Sequence, residues 1–120
     1  MIDLSYIYHV ADNNREFVLD LLGALKKNLE DFPTQMRKDF DANNWAALRA
    51  TAHKFKSSVS YSGMEALIEA LIKLETLADA ESNESQTVDS LRTVFRSAAV
   101  MHATVLAEIE QAKLLPVDAD

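Results

Sequence analysis

The sequence predicts an all-α protein, an antiparallel four-helix bundle whose helices run up, down, up and down. Two observations favour helix over strand: glycine and proline number only two each, and Ala, Leu, Glu and Lys are abundant. A third observation gives the number of helices, because four segments repeat their apolar residues at a spacing of three and four. Short polar turns join these segments, so neighbouring helices should be antiparallel.

The first long helix is predicted from Asn14 to about Phe40, with Asp12 or Asn13 suited to cap its N-terminus. Pro33 lies inside this segment, where its ring clashes with the carbonyl group of Leu29. The apolar phase nevertheless continues beyond the proline without a slip, which predicts one helix kinked at Pro33. The predicted stripe consists of Leu22, Leu25, Leu29, Phe32, Met36 and Phe40.

The second helix is predicted to follow the polar turn at residues 41–44 and to end before Gly63. A third helix should start at Ser62, because Ser62 and Glu65 fit the S-x-x-E capping box, in which each side chain binds the other's free backbone amide. The stripe of the second helix is Trp45, Leu48, Ala52, Phe55 and Val59. That of the third is Leu67, Ile68, Leu71, Leu74 and Ala78.

A polar linker at residues 81–84 precedes the last predicted helix, which Pro116 and an acidic tail bring to an end. The segment from Leu4 to Val10 allows a short helix that covers one end of the bundle. All of residues 1–120 are expected to form one domain, since a chain of this size buries a single core. The stripe of the last helix is Val88, Leu91, Phe95, Ala98, Val105 and Ile109.

Composition excludes several classes of function. The chain has no cysteine, which removes disulfide frameworks, thiolate metal sites and cysteine nucleophiles. A formal net charge of −7 argues against a nucleic-acid-binding surface, which needs clustered Lys and Arg. No secretory leader or membrane-spanning stretch is recognisable, so a cytoplasmic protein that does not bind membranes is expected.

Helical geometry places His53 outside the core, which makes it a candidate functional residue. At about 100° per residue it points roughly 120° away from the centre of its helix's apolar stripe. Arg49, four residues before it, and Lys56, three residues after it, flank the ring with positive charge. The other neighbouring positions hold the small residues Ala46, Ala50, Ser57 and Ser60. Taken alone, a surface histidine without a task would be the simpler interpretation.

The charge around this histidine favours a function. No acidic residue lies between Asp41 and Glu65, although the chain as a whole is acidic, and Arg49, Lys54 and Lys56 all lie in that window. A phosphorylated imidazole carries about two negative charges, which nearby cations stabilise and small neighbours leave accessible. The neutral ring is nucleophilic near pH 7 if its other nitrogen donates to a fixed acceptor, expected on a neighbouring helix. For Lys54, an ordinary solvated position remains an equal alternative.

Residues 52–58, followed by Gly63, resemble the signature of the histidine-containing phosphotransfer domain, in which a histidine, a lysine three residues later and a downstream glycine recur. Leu67, Leu71, Leu74 and Glu75 extend the resemblance, which is close from Asn44 to Ala78. Two departures are Phe55, where leucine is usual, and Ser57, where glycine or another small residue gives the phosphoryl group space. Ser57 can add a hydroxyl contact instead.

The resemblance implies a phosphorelay intermediate. His53 would accept a phosphoryl group from a receiver-domain aspartate, on Nε2, and pass it to another receiver. Lys56 would stabilise the phosphoryl group, and Glu75 would offer its side chain to the other ring nitrogen. The resemblance implies no kinase or ATPase activity and no cofactor of the chain's own, because Mg²⁺ is expected on the receiver.

The partners implied are receiver domains of response regulators, a hybrid sensor histidine kinase, or both, with no nucleic acid and no membrane. The polar surface around His53 suits transient binding, so a monomer is expected. The starting Met1 and the length favour a free-standing protein over a piece of a hybrid kinase. The sequence leaves open which kinase and receiver take part and in which direction the phosphoryl group flows.

Other interpretations have less support. The chain lacks the Glu-x-x-His pairs of metal-dependent bundle enzymes, a Gly-rich phosphate loop, a G-x-S-x-G elbow and an HEXXH stretch. The alternative that stays open is a helical module that docks a receiver or kinase without accepting phosphate. His9 and His102 receive no role, and His102 is expected beside the apolar stripe as a histidine with a satisfied hydrogen bond.

Overall fold

The computed structural model describes residues 2–81 and 84–116, with Glu84 described by its backbone alone. The described residues form five helices and contain no strand. Ser82 and Asn83 of the predicted polar linker lie outside the described residues, as does the acidic tail from residue 117 onward. The helices are α1 (Ser5–Val10), α2 (Arg15–Asp41), α3 (Trp45–Val59), α4 (Glu65–Asp79) and α5 (Glu84–Ala112).

The four long helices form a ring in which each packs against two others. Helix α2 packs against α3 and α5, and α4 also packs against α3 and α5, so α3 and α5 lie diagonally opposite each other. Contacts between α2 and α5 run in reverse order, because Glu30 contacts His102 whereas Arg37 lies over the ring of Phe95. The predicted all-α fold class is confirmed, and this arrangement is an antiparallel four-helix bundle.

One apolar core runs through the bundle and holds all four helices together. The rings of Phe32 and Phe55 stack across α2 and α3 with their centroids 5.3 Å apart. The buried face of α5 differs from the predicted stripe: Val94 and Met101, which were not predicted, are fully buried, whereas Phe95 is only partly buried. The largest fully buried side chains include Leu22, Met36, Leu48, Phe55, Leu67, Leu71, Leu74 and Met101.

Helix α2 continues through Pro33, as predicted from the unbroken apolar phase. The proline lacks the amide that would bind the carbonyl of Leu29, so one backbone hydrogen bond is lost. One residue further, the hydroxyl of Thr34 donates to the carbonyl of Glu30 at 3.0 Å. Packing of the helix on both sides of the proline outweighs this local cost. The kink at Pro33 stays a prediction.

The prediction that Asp12 or Asn13 caps α2 is wrong. Both residues have left-handed backbone conformations, with φ of 51° and 56°, and they reverse the chain after α1. Asn14 follows them in an extended conformation, and its side-chain oxygen accepts a hydrogen bond from the amide of Phe17 at 3.0 Å. Asn and Asp tolerate the left-handed region better than most residues, so three such residues in a row fit either role.

The predicted capping box at Ser62 and Glu65 is also wrong. Helix α4 begins at Glu65 itself, with Met64 at the N-cap position and no side-chain cap. The buried hydroxyl of Ser62 instead donates to the carbonyl of Val59 at 2.6 Å and accepts from the amide of Met64 at 3.3 Å. Gly63 has a φ of 72°, and this left-handed turn starts the helix too late for Ser62 to cap it.

Helix α1 covers one end of the bundle, as the sequence allowed. Leu4 and Ile7 are buried in the core. The amide of Asp3 donates to the carbonyl of Ser62 at 2.6 Å, and the rings of Tyr6 and Tyr61 lie 5.1 Å apart. The N-terminal segment is thereby fixed to the turn between α3 and α4.

Asn44 caps the helix that carries the histidine, since its side-chain oxygen accepts a hydrogen bond from the amide of Ala47 at 3.1 Å. We expect Asn44→Ala to lower the free energy of unfolding by about 1 kcal/mol, the usual effect of losing such a cap. Urea denaturation followed by circular dichroism measures the change. Asn44→Asp keeps the acceptor and should cost much less, so equal losses in both variants would contradict this role.

Candidate functional site

His53 lies on the outer side of α3, on the edge that faces α4. Its side chain is 64% exposed, as its predicted direction away from the core requires. The core residues Ala52 and Phe55 on either side of it are fully buried, and they fix the rotation of α3 about its own axis. This rotation presents the imidazole to solvent and to the neighbouring helix at the same time.

Glu75 of α4 joins His53 and Lys56 through its two carboxylate oxygens. Oε1 lies 2.6 Å from Nδ1 of His53, and Oε2 accepts a hydrogen bond from Nζ of Lys56 at 2.7 Å. The Glu75 side chain is only 18% exposed, and that of Lys56 is 28% exposed. The carboxylate therefore sits between the helices with one donor on each oxygen, and the structure places Glu75 beside the ring as the resemblance implied.

This pair of contacts determines the charge of Glu75. Partial burial raises the pKa of the carboxyl group, but the hydrogen bonds from Lys56 and His53 outweigh burial and lower the pKa below its ordinary value. The group is therefore ionised at neutral pH and can only accept hydrogen bonds. It follows that Nδ1 of His53 carries the proton. In the neutral ring the lone pair then resides on the exposed Nε2.

The lowered pKa predicts how stability depends on pH. Because the pKa of Glu75 is lower in the folded chain than in the unfolded one, its contribution is fully present above the unfolded value of about 4.5 and is lost as pH falls through the folded value. We expect wild type to exceed Glu75→Gln in the free energy of unfolding at about pH 6 and the difference to shrink at about pH 3. A constant difference, measured by denaturation at both pH values, would show that the charge is irrelevant.

The other predicted site residues differ in where they lie relative to His53. Arg49 lies one turn away and forms an exposed ion pair with Asp79 at 3.7 Å. The Ser57 hydroxyl donates to the backbone carbonyl of His53 at 3.2 Å. Lys54 is exposed on the α2 side of α3, where it borders a groove between these helices, so it does not share the edge of His53 that faces α4.

One buried polar cluster near the site was not predicted. Asp39 of α2 is buried, and its carboxylate accepts from Thr51 of α3 at 2.9 Å and from the Gln35 amide at 2.8 Å. Thr51 precedes His53 by two residues, so this cluster fixes α3 to α2 within one turn of the site. The helical phase, which places Asp39 three residues after the buried Met36, is the sequence signal that could have shown Asp39 to be buried.

Within residues 2–81 and 84–116, no three His, Asp or Glu side chains come together in a way that could hold a metal ion. No described helix combines the length and the apolar character needed to cross a membrane.

Comparisons with known proteins identify the family of this bundle. The family model described as the Hpt domain matches residues 20–113, which is most of the chain. The chain belongs to the Hpt domain family. Membership makes the protein a histidine-containing phosphotransfer intermediate of two-component signalling. No curated protein sequence matches the chain significantly.

A solved structure shows the same Hpt fold. The chain is similar to the crystal structure of histidine-containing phosphotransfer protein B (HptB) from Pseudomonas aeruginosa PAO1, with a TM-score of 0.80. The alignment covers 92% of this chain and 95% of that one, at 20% sequence identity. The Hpt fold is thus retained while most of the side chains differ.

Proposed function

We propose that His53 is the phosphoryl acceptor of this Hpt domain and that Nε2 is the reacting atom. One observation carries the proposal: the hydrogen bond from Nδ1 of His53 to the Glu75 carboxylate, which leaves the other ring nitrogen unprotonated and exposed. Neither of the other two histidines offers this combination. His9 makes no such contact in the described structure, and His102 uses Nε2 to bind Glu30.

The proposed step is an exchange between an acyl phosphate and an imidazole. The Nε2 lone pair attacks the phosphorus of a receiver's phosphoaspartate, the bond from phosphorus to the aspartate oxygen breaks, and the carboxylate leaves with the electron pair. The ring keeps its Nδ1 proton and gains positive charge, which the ionised Glu75 stabilises. The reverse step, toward a second receiver, regenerates the neutral imidazole of His53.

Lys56 is proposed to stabilise the phosphoryl group. Its ammonium group is held at 2.7 Å from Glu75, one turn along α3 from the histidine, and its flexible stem can move the charge toward a group on Nε2. Arg49 and Lys54 add exposed positive charge on two sides of α3. Ser57 offers a hydroxyl directly beside the backbone of His53.

The proposed partners are receiver domains of response regulators and a hybrid sensor histidine kinase. The basic outer surface of α3 complements the acidic rim of a receiver active site. We propose that the receiver supplies Mg²⁺, that the chain needs no cofactor and has no kinase or ATPase activity of its own, and that it works in the cytoplasm. We propose that the chain acts as a monomer at working concentrations, since each copy carries a complete site and its surface around His53 suits transient contacts.

We propose that an exposed apolar patch at the α1 end of the bundle extends the docking surface for a protein partner. Tyr6, Val10 and Phe17 are each more than half exposed, where α1 and the start of α2 meet. Tyr6 and Val10 border a groove that Tyr61 also lines, and Tyr61 lies two residues beyond the end of α3, about 12 Å from His53 along the helix axis. Exposed aromatic and aliphatic side chains that lie together on a surface favour a protein interface.

We expect Phe17→Ser to weaken receiver binding by about 10-fold, because aromatic residues commonly dominate such interfaces. Titration calorimetry with a cognate receiver measures the change. Val100→Ser is a matched control, since Val100 is equally exposed but lies on α5, diagonally across the bundle from α3. Equal effects of the two substitutions would argue against this patch as the receiver surface.

The proposed function is tested by incubating the protein with phosphorylated receiver domains and Mg²⁺ and measuring intact mass. A phosphoryl adduct that is labile in acid and stable in base, located on His53 by fragmentation, is the expected result. Receivers that bind but leave no adduct would overturn the proposal and favour the alternative, a docking module that does not accept phosphate.

A further inference from the structure

We infer that the outer face of α5 is an interface for a second copy of this chain, with the two α5 helices packed antiparallel. This face consists of Arg96, Ala99, Val100, Ala103, Leu106, Ala107 and Glu110, all of them exposed. Val100 is 55% exposed and Leu106 is 41% exposed. The spacing of three and four along the face is the spacing by which one helix packs against another.

Charge and size make this face complementary to itself. In an antiparallel pair centred on Ala103, residues equally far from the centre in the two directions face each other. Val100 then meets Leu106 of the second copy, and Arg96 meets Glu110. Ala99 and Ala107 also face each other, and their small side chains let the helix axes approach to about 8 Å. Among these seven positions, each apolar residue faces an apolar residue and each charged residue faces one of opposite charge.

The same residues disfavour a parallel pair. Parallel packing would place Arg96 against its own copy and Glu110 against its own copy, so like charges would oppose each other at both ends. Arg96 has no ion pair within the described chain, and Glu110 holds only an exposed pair with Lys113 through Oε1 at 3.0 Å. An exposed pair of this kind contributes little, so it does not compete strongly with a contact to Arg96.

The size of the face indicates weak association. About 15 residues of helix give a contact roughly 22 Å long, which buries less than the approximately 1,200 Å² of a stable complex. We therefore expect a dimer that forms at high protein concentration. Because α5 lies diagonally across the bundle from α3, the two His53 side chains would face outward on opposite sides of the dimer. Self-association thus leaves both reactive sites open, and it does not depend on the function proposed for His53.

Sedimentation velocity over a wide range of protein concentrations tests the inference. Ala103→Glu brings two carboxylates together at the centre of the interface and should weaken association by more than 10-fold. Ala24→Glu is the control: it adds the same charge at an exposed alanine of α2. Arg96→Glu should also weaken association, and the double variant Arg96→Glu, Glu110→Arg should restore it, since this swap recreates the antiparallel pairs. A chain that stays monomeric at the highest concentration, or a swap that fails to restore association, would overturn the inference.

Cysteine cross-linking tests the register, because the natural chain has no cysteine. Ala103→Cys should form a disulfide-linked dimer on mild oxidation much faster than Ala24→Cys. A mixture of Val100→Cys and Leu106→Cys chains should cross-link faster than Val100→Cys alone, since these positions face each other only between copies. Equal rates for Ala103→Cys and Ala24→Cys would overturn the interface. Circular dichroism of each variant confirms that it is folded.

Discussion

His53→Gln is expected to abolish phosphoryl transfer to the protein, with the rate falling by more than about 1,000-fold to the background of the assay. Glutamine has a similar length and offers no nucleophilic nitrogen near pH 7. The side chain it replaces is exposed, so the fold should be unchanged and the receiver should still bind. The measurement is the intact mass of the protein after incubation with a phosphorylated receiver and Mg²⁺.

His102→Gln is the matched control for this experiment. His102 also pairs with a carboxylate, since its Nε2 lies 2.8 Å from Glu30 Oε2, but it does so between α2 and α5, away from the α3 edge that carries His53. The control should accept phosphate at the rate of wild type. An adduct that forms on His53→Gln but not on His102→Gln would identify His102 as the acceptor and contradict the proposal.

Glu75→Ala is expected to slow transfer by about 10- to 100-fold, the range over which the positioning of an acid or base contributes to rate. The substitution removes the acceptor that keeps the proton on Nδ1, so the ring populates the tautomer whose Nε2 is protonated and unreactive. Lys56 also loses its partner. Rates measured by rapid quench with a phosphorylated receiver give the effect, and Glu75→Gln, which keeps an uncharged acceptor, should fall between wild type and Glu75→Ala.

Nitrogen NMR of the His53 ring separates positioning from a merely structural role. In wild type the neutral ring should show its proton on Nδ1, and in Glu75→Ala the two tautomers should both be present. Glu69→Ala, which removes an exposed carboxylate from the same helix, should leave both the tautomer and the rate unchanged. An unchanged tautomer in Glu75→Ala, or an equal loss of rate in Glu69→Ala, would contradict the role of Glu75.

The sequence predicted the helices well because burial has a strong period. The regular spacing of apolar residues in α2 predicted that this helix continues through Pro33; these residues are Leu22, Leu25, Leu29 and Met36. The same spacing in α3 predicted that His53 lies outside the core. Helix ends were predicted less well. Runs such as Asp12, Asn13 and Asn14 contain several residues that fit both a cap and a left-handed turn, and only the packing of α1 decides between them.

Contacts at the site were predicted only in part for a similar reason. The positions of His53 and Lys56 follow from one helix, and their spacing is visible in the sequence. Glu75 contacts both side chains only because of the way in which α3 and α4 are aligned. The turn at Gly63 connects these two helices. The buried contact of Asp39 with Thr51 likewise requires the register between two helices, which no periodicity within a single helix contains.

The ring of helices also has a consequence for how the chain folds. Each helix packs against its neighbours in sequence, but α2 also packs against α5, which is synthesised after the other four helices. The local hairpins of α2 with α3 and of α3 with α4 can form early. Proteins rich in such local contacts fold in about 10⁻⁶ to 10⁻³ s. We expect closure by α5 to come last, because it joins the most distant parts of the chain. Until α5 leaves the ribosome, the core residues of α2 and α4 that face it stay uncovered, so we expect the nascent chain to be most prone to aggregate at that stage.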